Sequence, residues 1–260
     1  MTFATATPRP IGRPRLIPDP ASVAALPLQT QCSKCHLRDL CLPCGMSAPE
    51  VDRLDGLMFT RRAVKAGQAL YHAGDPFHHI YAVRNGTFKS SLSLADGREQ
   101  VSGFQIAGEL LGLDGVGEGR HASSATALED TVVCAIPYSH LADLATTNAG
   151  IQRSVSRLMS REIVRDHGLM LLLGSMNAEE RLAAFLLNLS QRLKARGYSA
   201  KEFVLRMSRE EIGSYLGLKL ETVSRTFSAF QKQGLLSVTR REIKILDMDG
   251  LVRVQQSQLH

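Results

Sequence analysis

The chain has 260 residues, 44% of them hydrophobic, with 31 Lys and Arg against 25 Asp and Glu. That length allows one large domain or two modest ones with real cores, and no apolar run approaches a bilayer span, so no membrane partner is expected. Residues 175–260 hold 14 Lys and Arg against 9 Asp and Glu, whereas residues 1–174 hold 17 against 16. The positive excess therefore sits in the C-terminal third and points to a polyanionic partner there.

The first thirty residues scatter Pro8, Pro10, Pro14, Pro18 and Pro20 among Arg13 and Arg15, with no apolar core. This composition predicts a disordered tail over 1–30 rather than a signal peptide, and hence a cytoplasmic protein. Four of the five cysteines follow within thirteen residues: Cys32, Cys35, Cys41 and Cys44. The fifth, Cys134, stands alone in the β-like run Thr131 to Ile136. An odd count behind no secretory signal argues against a disulfide framework, and thiolates this dense suit a soft metal. Two chemistries fit the spacing. Cys32, Cys35, Cys41 and Cys44 resemble a pair of zinc knuckles, though with a short spacer. Alternatively, three of the four join Cys134 around an iron–sulfur cluster.

Ser47 and Glu50 form a capping-box pattern with Pro49 in the first turn, which predicts a helix over 47–57. From 57 to 137 short β-type runs alternate with Gly and Asp. Asn85-Gly86 between His79–Arg84 and Thr87–Leu92 predicts one hairpin, and Asp96-Gly97 a second. Strands so short and regular predict an antiparallel barrel or sandwich. Residues 148–174 then form a long helix. Met159, Ile163, Asp166, Met170 and Leu173 recur at steps of 4, 3, 4 and 3, a coiled-coil seam suited to a second copy of the chain. Leu158, Leu169 and Leu172 lie on an adjacent face that can pack on the barrel.

A helix over 177–197 follows, then a short strand from Phe203 to Arg206. The capping box Ser208-Arg209-Glu210-Glu211 opens a helix that stops near Gly217. Leu220 to Gln233 makes another, and 235–239 with 242–246 alternate as a hairpin. Helix, three-residue turn, helix and hairpin describe a winged helix-turn-helix for double-stranded DNA. Val223, Phe227 and Phe230 must face the core. Glu221, Ser224 and Arg225 then share the opposite face in the first two turns. Arg can donate two bonds to guanine, Glu can accept from cytosine N4, and Ser can reach several base edges. Arg209, at the start of the preceding helix, is placed to hold phosphate. No nucleophile–base set or phosphate loop stands out, so an enzyme is not expected.

Taken together, these segments resemble the fumarate-and-nitrate-reduction (FNR) regulators of the cyclic-AMP receptor protein superfamily, over roughly residues 30–250. The matching motifs are Cys32-x2-Cys35-x5-Cys41, Gly108-Glu109-Leu110-Leu111-Gly112, Asn177 to Phe185, and Gly213 to Leu218 running into Glu221-Thr222-Val223-Ser224-Arg225. The resemblance implies an α+β protein. An N-terminal antiparallel β-roll or jelly-roll sensor (31–147) would precede a dimerisation helix (148–174), a winged helix-turn-helix (175–250) and a tail (251–260). It implies a [4Fe–4S] cluster on Cys32, Cys35, Cys41 and Cys134, with Cys44 a bystander that keeps the zinc alternative open. By the same resemblance a homodimer reads a palindrome close to TTGAT-N4-ATCAA through Glu221, Ser224 and Arg225. It recruits RNA polymerase and loosens when oxygen destroys the cluster. Nucleotide-binding relatives place an Arg beside a small hydroxyl residue. Ser123-Ser124-Ala125-Thr126 contains none, and Arg120 fits poorly, so a nucleotide effector is not the first expectation. The rivals are a regulator of the same fold sensing a small molecule in the barrel, and an iron–sulfur electron carrier.

Overall fold

Local caps set most helix starts. A computed structural model of the chain describes residues 25–26, 30–57, 59–93 and 97–256. The predicted tail over 1–30 falls almost wholly outside the described residues, as does Asp96 of the second predicted hairpin. Helix α1 (Ala48–Asp55) begins where Glu50 accepts the Ser47 N–H at 2.7 Å. Helix α2 (Tyr138–Thr147) runs into α3 (Ala149–Ser175), whose cap Asn148 accepts from Gly150 and Ile151. Asn177 and Glu180 cap α4 (Ala178–Lys194) reciprocally, and Ser208 and Glu211 do the same for α5 (Arg209–Leu216). Helix α6 spans Leu220–Lys232.

The N-terminal strands build two sheets. One has the order β1 (Ala25–Leu26), β2 (Thr60–Val64), β9 (Thr131–Pro137), β4 (His79–Asn85), β7 (Leu110–Leu111). The other runs β3 (Ala69–Tyr71), β8 (Ser124–Ala127), β5 (Thr87–Ser93), β6 (Glu99–Ile106). Strands β5 and β6 pair as the second predicted hairpin requires. The first does not form: β4 pairs with β9 and β7, while β5 pairs with β6 and β8. Asn85-Gly86 is therefore a corner at which the chain changes sheets. Gly86 has φ +86°, and a Cβ there would collide with the Thr131 side chain. A turn residue permits a reversal, but the partner of each strand is decided by distant sequence.

Three cores result. Val64, Tyr71, Tyr81, Val83, Phe88, Leu111, Val133 and Ala135 fill the space between the sheets. The outer face of β4 and β9 makes a second core, in which Ile80, Ala82, Cys134 and Ile136 meet Leu42, Leu54, Phe59, Leu141 and Ile151. The third belongs to the C-terminal domain. There the wing is a three-stranded sheet, β10 (Glu202–Val204), β12 (Glu242–Ile245), β11 (Leu236–Thr239). The predicted tail at 251–260 is corrected in part: α7 (Met248–Gln255), capped by Asp247, buries Leu251 completely. Its apolar face packs on α4, and that burial outweighs the polar composition around it.

Two helix faces also differ from the pattern-based reading. Leu158 packs on the outer barrel core, but Leu169 and Leu172 pack into the C-terminal core. Leu173, the last seam residue, joins them there, against Gly217. Among the described residues no helix is long and apolar enough to cross a membrane.

Candidate metal centre and nucleic-acid interface

The cysteine segment coils through successive turns. Cys35 N–H donates to the Cys32 carbonyl, Cys41 N–H to that of Leu37, and Cys44 N–H to that of Cys41. Buried Leu37 and Leu42 anchor it. At its start, the Asp55 carboxylate at the end of α1 accepts from the N–H of Cys32 and from both N–H and Oγ–H of Ser33. Cys134 on β9 pairs with Ala82 of β4 and Arg61 of β2, and its side chain faces out of the barrel. Cys32 and Cys41 pack on that same face. The remote strand cysteine and the cysteine segment are thus brought together across about ninety positions of sequence.

All five thiols are free. Burial raises the Cys32 thiol far above its ordinary value, reinforced by Cys41, Asp55, Cys134 and Cys35. Burial pushes Cys41 up to about 12, with Cys134, Cys35 and Cys44 adding to the rise against a lowering backbone hydrogen bond. Cys134 also rises, chiefly by burial, while Thr30 and Arg84 pull it down. Cys32, Cys41 and Cys134 all resist ionisation, chiefly through burial and further through their neighbouring thiols, and a bound cation would favour their thiolate forms together. Among the described residues no three His, Cys, Asp or Glu side chains close up as they would around a single ion. Cys44 is turned towards α3: its Sγ lies 3.7 Å from Arg161 Nη2 and its carbonyl accepts from Arg157 Nη1 at 2.7 Å.

Inside the barrel the polar groups bind one another. Asp114 accepts both the N–H and the Oγ–H of Ser123 at 2.8 Å, His121 lies 3.4 Å from the same carboxylate, and Tyr71 stacks on His121. Ser124 Oγ accepts the Ala73 N–H, and Arg120 donates to the Gly74 carbonyl. The hydroxyl segment is therefore engaged internally.

In the C-terminal domain, α5 and α6 meet at a three-residue turn. Gly217 has φ +63°, and a Cβ on Gly213 would collide with the Leu218 carbonyl, so the turn demands both glycines. Val223, Phe227 and Phe230 are buried as expected, while Glu221, Ser224 and Arg225 are exposed together. Arg209 lies with its Cζ 3.4 Å from the centre of the Phe227 ring. Burial lowers its pKa to about 10, still fully charged at neutrality. Its Nη1 is buried without a hydrogen-bond partner. Arg240, at φ +58°, and Arg241 stand exposed at the wing tip, a basic feature that charge counting had not singled out.

On α3, Ile163 and Met170 are more than half exposed, Asp166 is exposed and Met159 half-buried. Val164 and Leu171, outside the predicted seam, are equally bare. The uncovered face is therefore a broad stripe.

Comparison with known proteins agrees with this architecture. The model for the Crp-like helix-turn-helix domain matches residues 180–254, and that for the cyclic nucleotide-binding domain matches residues 61–148. A sensor barrel joined to such a domain defines a transcription regulator, not an enzyme. The chain is 50% identical over 225 residues to the transcriptional regulatory protein btr of Bordetella pertussis, covering 86% of this chain and 93% of that one. It is 46% identical to the transcriptional activator protein anr of Pseudomonas aeruginosa, covering 91% and 97% respectively. It is 44% identical to the fumarate and nitrate reduction regulatory protein of Escherichia coli K12, covering 86% and 89%. The structure of FixK2 from Bradyrhizobium japonicum aligns with a TM-score of 0.71 at 33% identity, over 76% of this chain and 98% of that one. The chain belongs to the family of fumarate and nitrate reduction regulators.

Proposed function

We propose that this regulator responds to oxygen through a [4Fe–4S] cluster held by Cys32, Cys35, Cys41 and Cys134. The observation that carries the reading is the convergence of the strand thiol with the cysteine segment on one buried face. The thiols fit such a group. Ligand sulfurs of a four-iron cluster stand farther apart than those of one tetrahedral zinc, which needs about 2.3 Å bonds to a common centre. When bound, the cluster supplies redox chemistry towards dioxygen. The chain's own residues do the rest. Leu37, Leu42 and Asp55 hold the segment in its turns. Arg157 and Arg161 fasten its end, at Cys44, to α3.

With the segment ordered, α3 pairs with a second copy through Met159, Ile163, Asp166 and Met170, extended by Val164 and Leu171. The cytoplasmic dimer then reads a palindrome near TTGAT-N4-ATCAA. Arg225 reads guanine, Glu221 the paired cytosine and Ser224 a neighbouring base edge, while Arg209 takes a phosphate. The bound dimer engages RNA polymerase at promoters of anaerobic metabolism.

The test is iron and sulfide content after anaerobic purification of Cys134→Ser and Cys44→Ser proteins. The first should be empty and the second filled. The reverse pattern, or zinc in the wild type, overturns the assignment.

A further inference from the structure

We infer that Arg84 is a positioning residue of the cysteine site, clamping a segment thiol to the strand thiol and supplying the positive charge that steadies them. The inference rests on the cluster reading above. The backbone prepares Arg84 for this. The β4–β9 register runs Val83 opposite Val133 and then Asn85 opposite Val132, so Arg84 is an extra residue without a partner on β9. A bulge of this kind re-aims one side chain and leaves the flanking ladder intact. The sheet-changing corner at Asn85-Gly86 follows at once and holds the bulge from the other side.

The side chain then reaches both halves of the site. Its Nη1 lies 3.8 Å from Cys35 Sγ, and its positive charge acts on the Cys134 thiol, drawing it down against the rise that burial causes. Cys35 comes from the coiled segment and Cys134 from the barrel, so one planar fork spans the junction. The same end of the segment also meets a negative group, Asp55, at Cys32 and Ser33. Arg84 also lines a cleft of about 560 Å³ between the barrel and the C-terminal domain, with His36, Leu37, Glu129 and Arg206. The guanidinium therefore stands between that cleft and two of the thiols.

Four thiolates around a [4Fe–4S] core leave it with net negative charge. N–H···S hydrogen bonds and a fixed cation favour the electron-rich state. If the cluster were held there, the Arg84 charge would favour its electron-rich state, so Arg84 would slow loss of an electron to dioxygen, which would lower that negative charge by one.

The experiment compares wild type with Arg84→Gln, Arg84→Lys and Arg206→Gln. The last removes a cleft arginine that pairs with Glu129 instead of a thiol. All are isolated anaerobically, assayed for iron and sulfide, and followed by visible absorbance after mixing with air-saturated buffer. Thermal unfolding of the cluster-free proteins runs in parallel. Arg84→Gln should speed the absorbance decay by about fivefold or more. Arg84→Lys should fall between it and wild type, Arg206→Gln should match wild type, and cluster-free unfolding should be unchanged. Wild-type decay in a fully loaded Arg84→Gln protein overturns the inference. So does equal acceleration by Lys and Gln with a weakened cluster-free fold, which would make the contact mere packing. A wild type without iron and sulfide sinks the cluster reading itself, a distinguishable failure.

Discussion

The Glu109 carboxylate of the barrel grips Arg192 of α4 twice, with Nε 2.9 Å from Oε1 and Nη2 2.5 Å from Oε2. Arg196 adds a contact at 2.8 Å and Arg165 of α3 one at 3.7 Å. Glu109 is only 9% exposed, and it joins sensor barrel, long helix and C-terminal domain at one point. Nearby, Ser214 Oγ of α5 accepts the Val101 N–H of β6, and Phe104 packs against Tyr215. The helix-turn-helix half is thus clasped to the barrel by an ion-pair cluster, a backbone hydrogen bond and an aromatic contact.

Glu109→Gln leaves three arginines facing a neutral amide. The expected loss is on the order of 3 kcal/mol in urea unfolding, since breaking a buried pair strands its partners. The pH dependence follows from the same contacts. Burial would raise the Glu109 carboxyl, but Arg192, Arg165 and Arg196 prevail and hold it below its ordinary value of 4.5. A depressed folded-state pKa contributes stability that is present above the unfolded value and lost as pH falls through the folded one. Wild type should therefore lose stability below about pH 4.5 to an extent that Glu109→Gln does not. Glu162, raised mainly by burial, has the opposite sign, and both proteins retain it. Parallel acid profiles for the two proteins would refute the role of Glu109.

Arg225 and Arg209 should fail in different ways. Arg225→Ala should cost about 1–3 kcal/mol on the palindrome and relax discrimination at one G·C pair. Arg209→Ala should weaken specific and random DNA alike and flatten the salt dependence, because phosphate contacts carry no sequence information. Fluorescence anisotropy on both DNAs over a salt series separates the two. An equal loss on random DNA from Arg225→Ala would place Arg225 on phosphate instead.

Asp166 stands exposed between Ile163 and Met170 on the uncovered face of α3. In a symmetric pair it approaches its own copy, and like charges there oppose dimerisation. Asp166→Ala should therefore increase dimer and DNA binding in the aerobic, cluster-free protein. Sedimentation and gel-shift in air decide it, and a variant as monomeric as wild type ends the idea.

Local chemistry marked most helix starts and the exposed face of α6, but not α7, which burial on α4 decides. Ser47, Asn177 and Ser208 with their glutamates mark helix starts because capping needs only neighbours three residues apart. Val223, Phe227 and Phe230 separate core from exposed face because helical periodicity is local. Family motifs then tied Cys134 to the cysteine segment. Tertiary structure alone decided the remainder. Strand β9 is buried on both faces, so no alternation reveals which way Cys134 points. Asn85-Gly86 carries a hairpin signal, yet the partners of β4 and β5 come from residues 99–137. Leu173 continues the seam by spacing but turns into the C-terminal core, because α5 and its Gly217 turn lie against it. The bulge that aims Arg84 exists only in the register between two strands. Pairing, register and the direction of a doubly buried side chain are non-local, and sequence spacing does not encode them.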